Sequence, residues 1–384
     1  MSKKVLLIVP HLGIGGQERI AVETASLLQS RGYKVMVAVF ERVAKEYDCP
    51  VQVVDLGLAA APSAAEKAVR VLQRCAALKK LKKAFGADVS YSFGDIANVS
   101  NAMSKRKGEK CILSVHGFGS VPKSRLSGMV YGWLCRTADI TACVSKQISN
   151  AMHSATGISR EKFTTLYNPY NIRLIREKAQ SRKNLPHPCF IAVGRLEEVK
   201  GYENLLHAFA LVNKQIPEAK LLFVGDGSCR TALEKLTGNL NLTDSVLFAG
   251  MQENPYAWLA GADAFVLSSY SEGFPNAMIE AMACGLPVVS VDCPSGPREI
   301  LLPEHEGEIS SVTETACGFL CPAIAREDSP NEKKKKQSLL AEAMLRLLNS
   351  QDLSQKNDDM RNNSLARASQ FDGDAYLQQL EKLF

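Results

Sequence analysis

Two carboxylates stand on one short segment, Ser271-Glu272-Gly273-Phe274-Pro275-Asn276-Ala277-Met278-Ile279-Glu280. Carboxylates accept hydrogen bonds from hydroxyls, so the pair suits a polyhydroxylated ligand. Pro275 fits the first turn of a helix, whose N–H groups then point back at the loop and favour an anion. Upstream, Gly194-Arg195-Leu196-Glu197-Glu198-Val199-Lys200-Gly201 carries two cations. Arginine supplies a bidentate fork and lysine a point charge, and together they can hold a diphosphate. Taken alone, the same run reads as a solvated polar turn. A third run, His11-Leu12-Gly13-Ile14-Gly15-Gly16-Gln17-Glu18-Arg19, lets backbone approach a ligand just before a helix. It is not a dinucleotide fingerprint, because GxGxxG needs glycine where Glu18 stands. Glu41, after the second strand, keeps a ribose-binding acid and hence a nicotinamide-dependent oxidoreductase open as a rival.

These residues need strand ends to carry them. Short β-branched runs alternate with longer amphipathic stretches, which predicts an α/β fold of parallel sheets built from βαβ units. Strands are expected at 5–9, 34–40, 51–54, 89–93, 111–115 and 140–144, then at 190–193, 221–224, 246–248, 264–267 and 287–291. Helices are expected at 18–29, 64–85, 204–213, 230–236 and 276–284, with helical pattern from Lys333 onward. The chain has 384 residues, too many for one ordinary domain. The polar segment 176–188 ends in Leu-Pro-His-Pro and reads as a linker. The expected domains are therefore 1–178 and 179–365, followed by a C-terminal helix at 366–384 able to cross back to the first. Ligands of doubly wound sheets bind at the carboxyl ends of the strands, where all three runs fall.

The stretch SEGFPNAMIEAMACGLPVV resembles the donor-binding signature of glycosyltransferase family 4, retaining enzymes of the GT-B fold. GGQERIAVETASLL, VSKQISNAM, TTLYNPYNI, FIAVGRLEEVKGYENLLHAFALV and LLFVGDGS resemble other family segments in the same order. DCPSGPREIL resembles members that build O-antigens, capsules and lipid-linked oligosaccharides. The resemblance implies two Rossmann-like domains, the first for the acceptor and the second for a nucleotide-sugar donor. It implies that Arg195 and Lys200 neutralise the donor diphosphate, that Glu280 holds the ribose, and that Glu272 sits at the donor sugar. The N–H groups of Gly273, Phe274, Pro275's neighbours and Asn276 would bind sugar hydroxyls and phosphate. Gly194 and Gly225 would line the donor site, and Gly15 and Gly16 would let the first loop approach the diphosphate. His116, in Ser114-Val115-His116-Gly117, matches the family's histidine near the reacting sugar. No DxD-like metal pair stands out, so neither metal nor other cofactor is expected.

The net charge of +6 conceals an asymmetry: residues 1–178 hold 27 Lys and Arg against 13 Asp and Glu, and the rest of the chain is acidic. The helix expected at 64–85 is basic, with Lys67, Arg70, Arg74, Lys79, Lys80, Lys82 and Lys83 beside an apolar stripe of Val71, Leu72, Cys75, Leu78 and Phe85. With Lys105-Arg106-Lys107 it points to an anionic membrane surface or an anionic acceptor such as a polyprenyl-diphosphate sugar. Nucleic acid is not expected, because no aromatic platform accompanies the charge. Eleven scattered cysteines without a CxxC pair predict reduced thiols in a cytoplasmic protein, and the basic first half adds a peripheral position at the inner face of the membrane. The activity expected is retaining transfer of a hexose or N-acetylhexosamine from a UDP-sugar to a glycan or lipid-linked acceptor. A non-catalytic protein that binds anionic lipid or glycan is the second rival.

Overall fold

The computed structural model describes residues 2–305, 307–349 and 353–384. The chain divides into two compact units, Met1–Tyr170 with Asp372–Phe384, and Asn171–Phe371. The first unit holds strands β1 (Lys4–Val9), β2 (Lys34–Val39), β3 (Gln52–Asp55), β4 (Val89–Phe93), β5 (Lys110–Val115), β6 (Ile140–Cys143) and β7 (Phe163–Thr165). Its helices are α1 (Gly16–Ser30), α2 (Ala64–Phe85), α3 (Asp95–Met103), α4 (Arg125–Thr137), α5 (Lys146–Thr156) and, from the far end of the chain, α14 (Gly373–Glu381). The strands are parallel in the order β3-β2-β1-β4-β5-β6-β7. On β1, Val5, Leu7 and Val9 join a core with Ile20 and Leu28 of α1 and Tyr376, Leu377 and Leu380 of α14. Leu6 and Ile8 join another, with Leu78 of α2 and Ala97 of α3. A strand covered on both faces carries an unbroken apolar run instead of an alternating one, as KVLLIV does.

Helix α2 starts on a reciprocal cap: Ser63 Oγ accepts from Glu66 N at 3.3 Å, and Glu66 Oε2 accepts from Ser63 N at 3.1 Å. It stops at Gly86, whose φ of 70° favours glycine. Its cations do not all face outward: two of the seven, Arg74 and Lys82, are buried. Arg74 is buried, donates twice to Leu58 O, and lies over the Phe40 ring at 4.4 Å. Lys82 is fully buried, 2.7 Å from Glu109 Oε1 and 2.7 Å from Asn101 Oδ1. Lys105 is engaged with Asp139 at 2.9 Å, and Arg106 donates to Lys82 O. Leu72, on the apolar stripe, is exposed. A buried cation persists only with partners, which Arg74 and Lys82 have, while Lys105 and Arg106 are half-buried.

The second unit holds α6 (Ile172–Ala179), β8 (Cys189–Val193), α7 (Tyr202–Gln215), β9 (Lys220–Val224), α8 (Arg230–Asn239), β10 (Val246–Phe248), α9 (Pro255–Gly261), β11 (Ala264–Leu267) and α10 (Asn276–Ala283). It continues through β12 (Val288–Val291), α11 (Pro297–Leu301), β13 (Thr313–Thr315), β14 (Gly318–Cys321), α12 (Pro330–Asn349) and α13 (Leu353–Ser369). The order is β10-β9-β8-β11-β12-β14-β13, parallel except for the antiparallel β13–β14 edge. The chain passes into this unit at residue 171, ahead of the expected boundary at 178. Helix α6 packs on α9 and α10, so the start of the segment 176–188 belongs to the second unit, while most of its residues are exposed. In each sheet the strand order reverses once, between β1 and β4 and between β8 and β11. All eleven cysteines are free. Among the described residues, no helix is long and apolar enough to cross a membrane.

Candidate active site

In the second unit the loops that follow β8 and β11 meet where the strand order reverses, the position at which an open α/β sheet leaves a crevice. Lys200 Nζ lies 2.8 Å from Glu272 Oε1, and the two side chains are only 22% and 11% exposed. The same carboxylate oxygen accepts from Ser269 Oγ at 2.6 Å. The backbone holds the two loops in register: Ser268 Oγ donates to Lys200 O at 3.0 Å, and Tyr270 N donates to Val199 O at 2.8 Å. Gly201 (φ 60°) is needed here, because a Cβ would stand 2.2 Å from Ser268 O. The loop after β12 closes the far side, with Glu272 N donating to Pro294 O at 3.1 Å and Ser295 Oγ donating to Gly273 O at 2.5 Å. Ser295 has φ 73°, a conformation that side chains other than glycine rarely adopt and that strain-bearing sites retain.

The residues expected here are placed unequally. Gly194 lies beside Lys200 and the Tyr202 hydroxyl. Gly225 packs on Gly194, where a Cβ would come within 1.9 Å of Gly194 O, so close backbone contact alone requires this glycine. Arg195 is exposed on the same loop as Lys200. Glu197 reaches the next loop, accepting from Ser228 Oγ at 2.8 Å, and those bonds hold its carboxyl below the usual range. Phe274 is buried with its ring 5.3 Å from that of Phe371. Pro275 precedes α10 as its cap residue, and Gly273 and Asn276 flank that helix start. Glu280 lies within α10, 6% exposed.

In the first unit, the loop from His11 to Gly16 lies at the reversal between β1 and β4. Gly13 N donates to His11 Nδ1 at 3.1 Å. Gln17 Nε2 donates to Phe93 O at 3.2 Å, tying the start of α1 to the end of β4. Gly15 caps α1, and the Glu18 carboxylate lies over it, 2.3 Å from where a Cβ would stand; Gly16 opens the helix. His116 follows β5, with Nε2 2.8 Å from Ser114 Oγ and its ring stacked on Phe93 at 5.6 Å. Burial pushes its imidazole down to about 4.

Residues 14–174 match the family model for Glycosyltransferase Family 4, and residues 175–318 match that for Glycosyl transferases group 1. An uncharacterized glycosyltransferase of Methanocaldococcus jannaschii is 31% identical over 334 residues, spanning 79% of this chain and 80% of the relative. The chain belongs to glycosyltransferase family 4. The N-acetylgalactosamine-N,N'-diacetylbacillosaminyl-diphospho-undecaprenol 4-alpha-N-acetylgalactosaminyltransferase of Campylobacter jejuni is 26% identical over 323 residues, 81% of this chain and 86% of the relative. The crystal structure of HepE from Anabaena in complex with UDP-glucose superimposes with a TM-score of 0.73 at 21% identity, covering 99% of this chain and 98% of that one, which places the family 4 enzyme in the GT-B fold. Membership sets aside the oxidoreductase and the non-catalytic readings.

Several residues of this glycosyltransferase's site escaped the sequence reading. Ser269 stands one turn before Glu272 in the same loop, a spacing that could have flagged it. Tyr202 stands two residues after Lys200, at the start of α7, and Ser295 reaches the site from the separate loop after β12. Tyr202 is buried, and burial followed by the Glu272 carboxylate pushes its phenol well up. Among the described residues, no group of three His, Cys, Asp or Glu side chains is placed to hold a metal ion.

Proposed function

We propose that this glycosyltransferase moves a hexose or N-acetylhexosamine from a UDP-sugar to a glycan or polyprenyl-diphosphate-linked acceptor, with retention of configuration. The observation that carries the reading is the Lys200–Glu272 pair at the reversal of the second sheet. Before the donor arrives, each charge compensates the other. A diphosphate draws Lys200 toward itself and leaves the carboxylate to accept hydrogen bonds from sugar hydroxyls. Arg195 adds a second cation, and the start of α10, from Gly273 to Asn276, adds aligned backbone dipoles. Positive groups aimed at the leaving phosphate stabilise the charge that grows there, in place of a metal. Glu280 holds the ribose. In the first unit, Gly15, Gly16 and His116 serve the donor phosphate and the reacting sugar. With no side chain matching a nucleophile, the acceptor hydroxyl attacks on the face the leaving group departs from, and the leaving phosphate takes its proton.

The Anabaena structure contains UDP-glucose, and the Campylobacter relative is named for an acceptor on diphospho-undecaprenol; both support the choice of donor and acceptor class. A thermal-shift panel of UDP-, GDP- and ADP-sugars tests the donor. A UDP-sugar should raise the midpoint of the wild type and not of Lys200→Ala. Stabilisation by another nucleotide, or by none, contradicts the donor assignment. Trapping a covalent glycosyl-enzyme would sink the same-face mechanism.

A further inference from the structure

Helix α4 is packed in the reverse of the usual sense. Its inner face is small: Gly128 and Gly132 are buried beside Leu134 and Cys135, and a Cβ at 128 would come within 2.6 Å of Ala155 O. Its bulky apolar residues face water, with Leu126 68%, Met129 60%, Val130 50% and Trp133 48% exposed. Their spacing puts them on one stripe of the helix. Met103 of α3 extends the stripe: it is exposed and shares with Trp133 an open hollow of about 470 Å³. A contiguous apolar surface of this kind marks a binding face.

Charge decides what covers it. No Asp or Glu occurs between Glu109 and Asp139, and those two are themselves committed to Lys82 and Lys105; the one carboxylate on the two helices, the exposed Asp95 at the start of α3, is bonded to Ser120 and Tyr131. Lys107, Lys123, Arg125 and Arg136 are all exposed on or beside the two helices. An apolar stripe with a tryptophan and a rim of cations is the composition of a helix that lies in the headgroup layer of an anionic bilayer. We propose that the α3–α4 face docks this protein on an anionic lipid surface, with Leu126, Met129, Val130 and Trp133 entering the headgroup region. It takes the place expected for α2, two of whose cations are internal. The proposal goes beyond the transfer reaction and does not rest on it, because binding is read without donor or acceptor.

The test is co-sedimentation of the full chain with vesicles of mixed phosphatidylglycerol and phosphatidylcholine, and with vesicles of phosphatidylcholine alone. The wild type should bind the mixed vesicles and bind the neutral ones far more weakly. Met129→Glu/Trp133→Glu should lose at least about tenfold in partitioning, and Lys123→Gln/Arg125→Gln about tenfold with the apolar stripe intact. Leu72→Glu on α2 should bind like the wild type. Trp133→Phe should retain binding, which separates lost insertion from lost folding, and far-UV circular dichroism checks each variant. The proposal is overturned if the wild type ignores anionic vesicles or if Met129→Glu/Trp133→Glu binds unchanged. It is equally overturned if sedimentation shows a dimer that these substitutions split, since the face would then join two copies of the chain.

Discussion

Lys200 and Glu272 are each the other's main compensation in a site with little solvent access, so removing one leaves the other charge poorly solvated. Lys200→Ala is expected to lower kcat by about 10²–10³-fold, the usual cost of losing one preorganised group at a developing charge. Steady-state kinetics with the best donor of the thermal-shift panel checks it, and an unchanged kcat would remove Lys200 from the chemistry. His116 gives a pH signature. Burial holds its folded-state imidazole at about 4, while the unfolded chain takes the proton near 6.5. Acid between those values therefore favours unfolding, and stability falls as pH drops through that window, by about 2 kcal/mol from this group. Urea midpoints at pH 7 and pH 4.5 should fall further apart for the wild type than for His116→Asn; equal slopes contradict it. Lys82 makes the same point in the core: desolvation lowers its pKa, and Lys82→Met should cost about 3–5 kcal/mol by stranding Glu109. The chemistry-bearing types at 195, 200, 272 and 280 were legible from strand-end position and local composition. Ser295 was less so, because contact between separate loops recruits it; Tyr202 and Ser269 stand close to Lys200 and Glu272 in sequence, but a tyrosine and a serine do not announce a role by type alone.

At the scale of elements, legibility followed the strength of local signals. Helix α2 falls on 64–85 as expected because its cap and its terminal glycine are both written locally. Strands β7 (Phe-Thr-Thr) and β13 (Thr-Glu-Thr) had no expectation because they are mostly polar, and β14 had none although it is apolar after Gly318. The inward or outward sense of a helix was the weakest inference. In α2 a lysine and an arginine turn inward because Glu109, Asn101 and the Leu58 carbonyl wait there, and none of these is a neighbour in sequence. In α4 glycines turn inward because α5 approaches closely. Gly128→Val should therefore destabilise the first unit by about 1–3 kcal/mol, while Leu126→Lys, at an exposed position, should stay within about 0.5 kcal/mol in free solution. Denaturant titrations of the two variants distinguish them, and the reverse ranking would show that α4 does not pack as described.

For the molecule as a whole, two alternating βα series were enough to announce two sheets, but not where the chain changes from one unit to the other. The polar run at 176–188 looked like a tether, and only the packing of α6 on α9 and α10 assigns its start to the second unit. Removing residues 372–384 takes Tyr376, Leu377 and Leu380 from the first core. Burial of such side chains contributes about 1.5–3 kcal/mol each, so the truncated chain should lose several kcal/mol from the first unit alone. Hydrogen exchange should then speed up in α1 and β1 while β8 and β11 keep their protection; uniform acceleration would mean that the units do not unfold separately.

The first unit is made of two pieces, Met1–Tyr170 and Asp372–Phe384, with all of Asn171–Phe371 in between. On a ribosome its sheet emerges first but must wait for α14 until the whole second unit has been translated, on the order of 20 s at typical speeds. Through that interval the side of α1 around Leu28 has nothing to shield it, and a nascent chain in that state is a natural client for a chaperone.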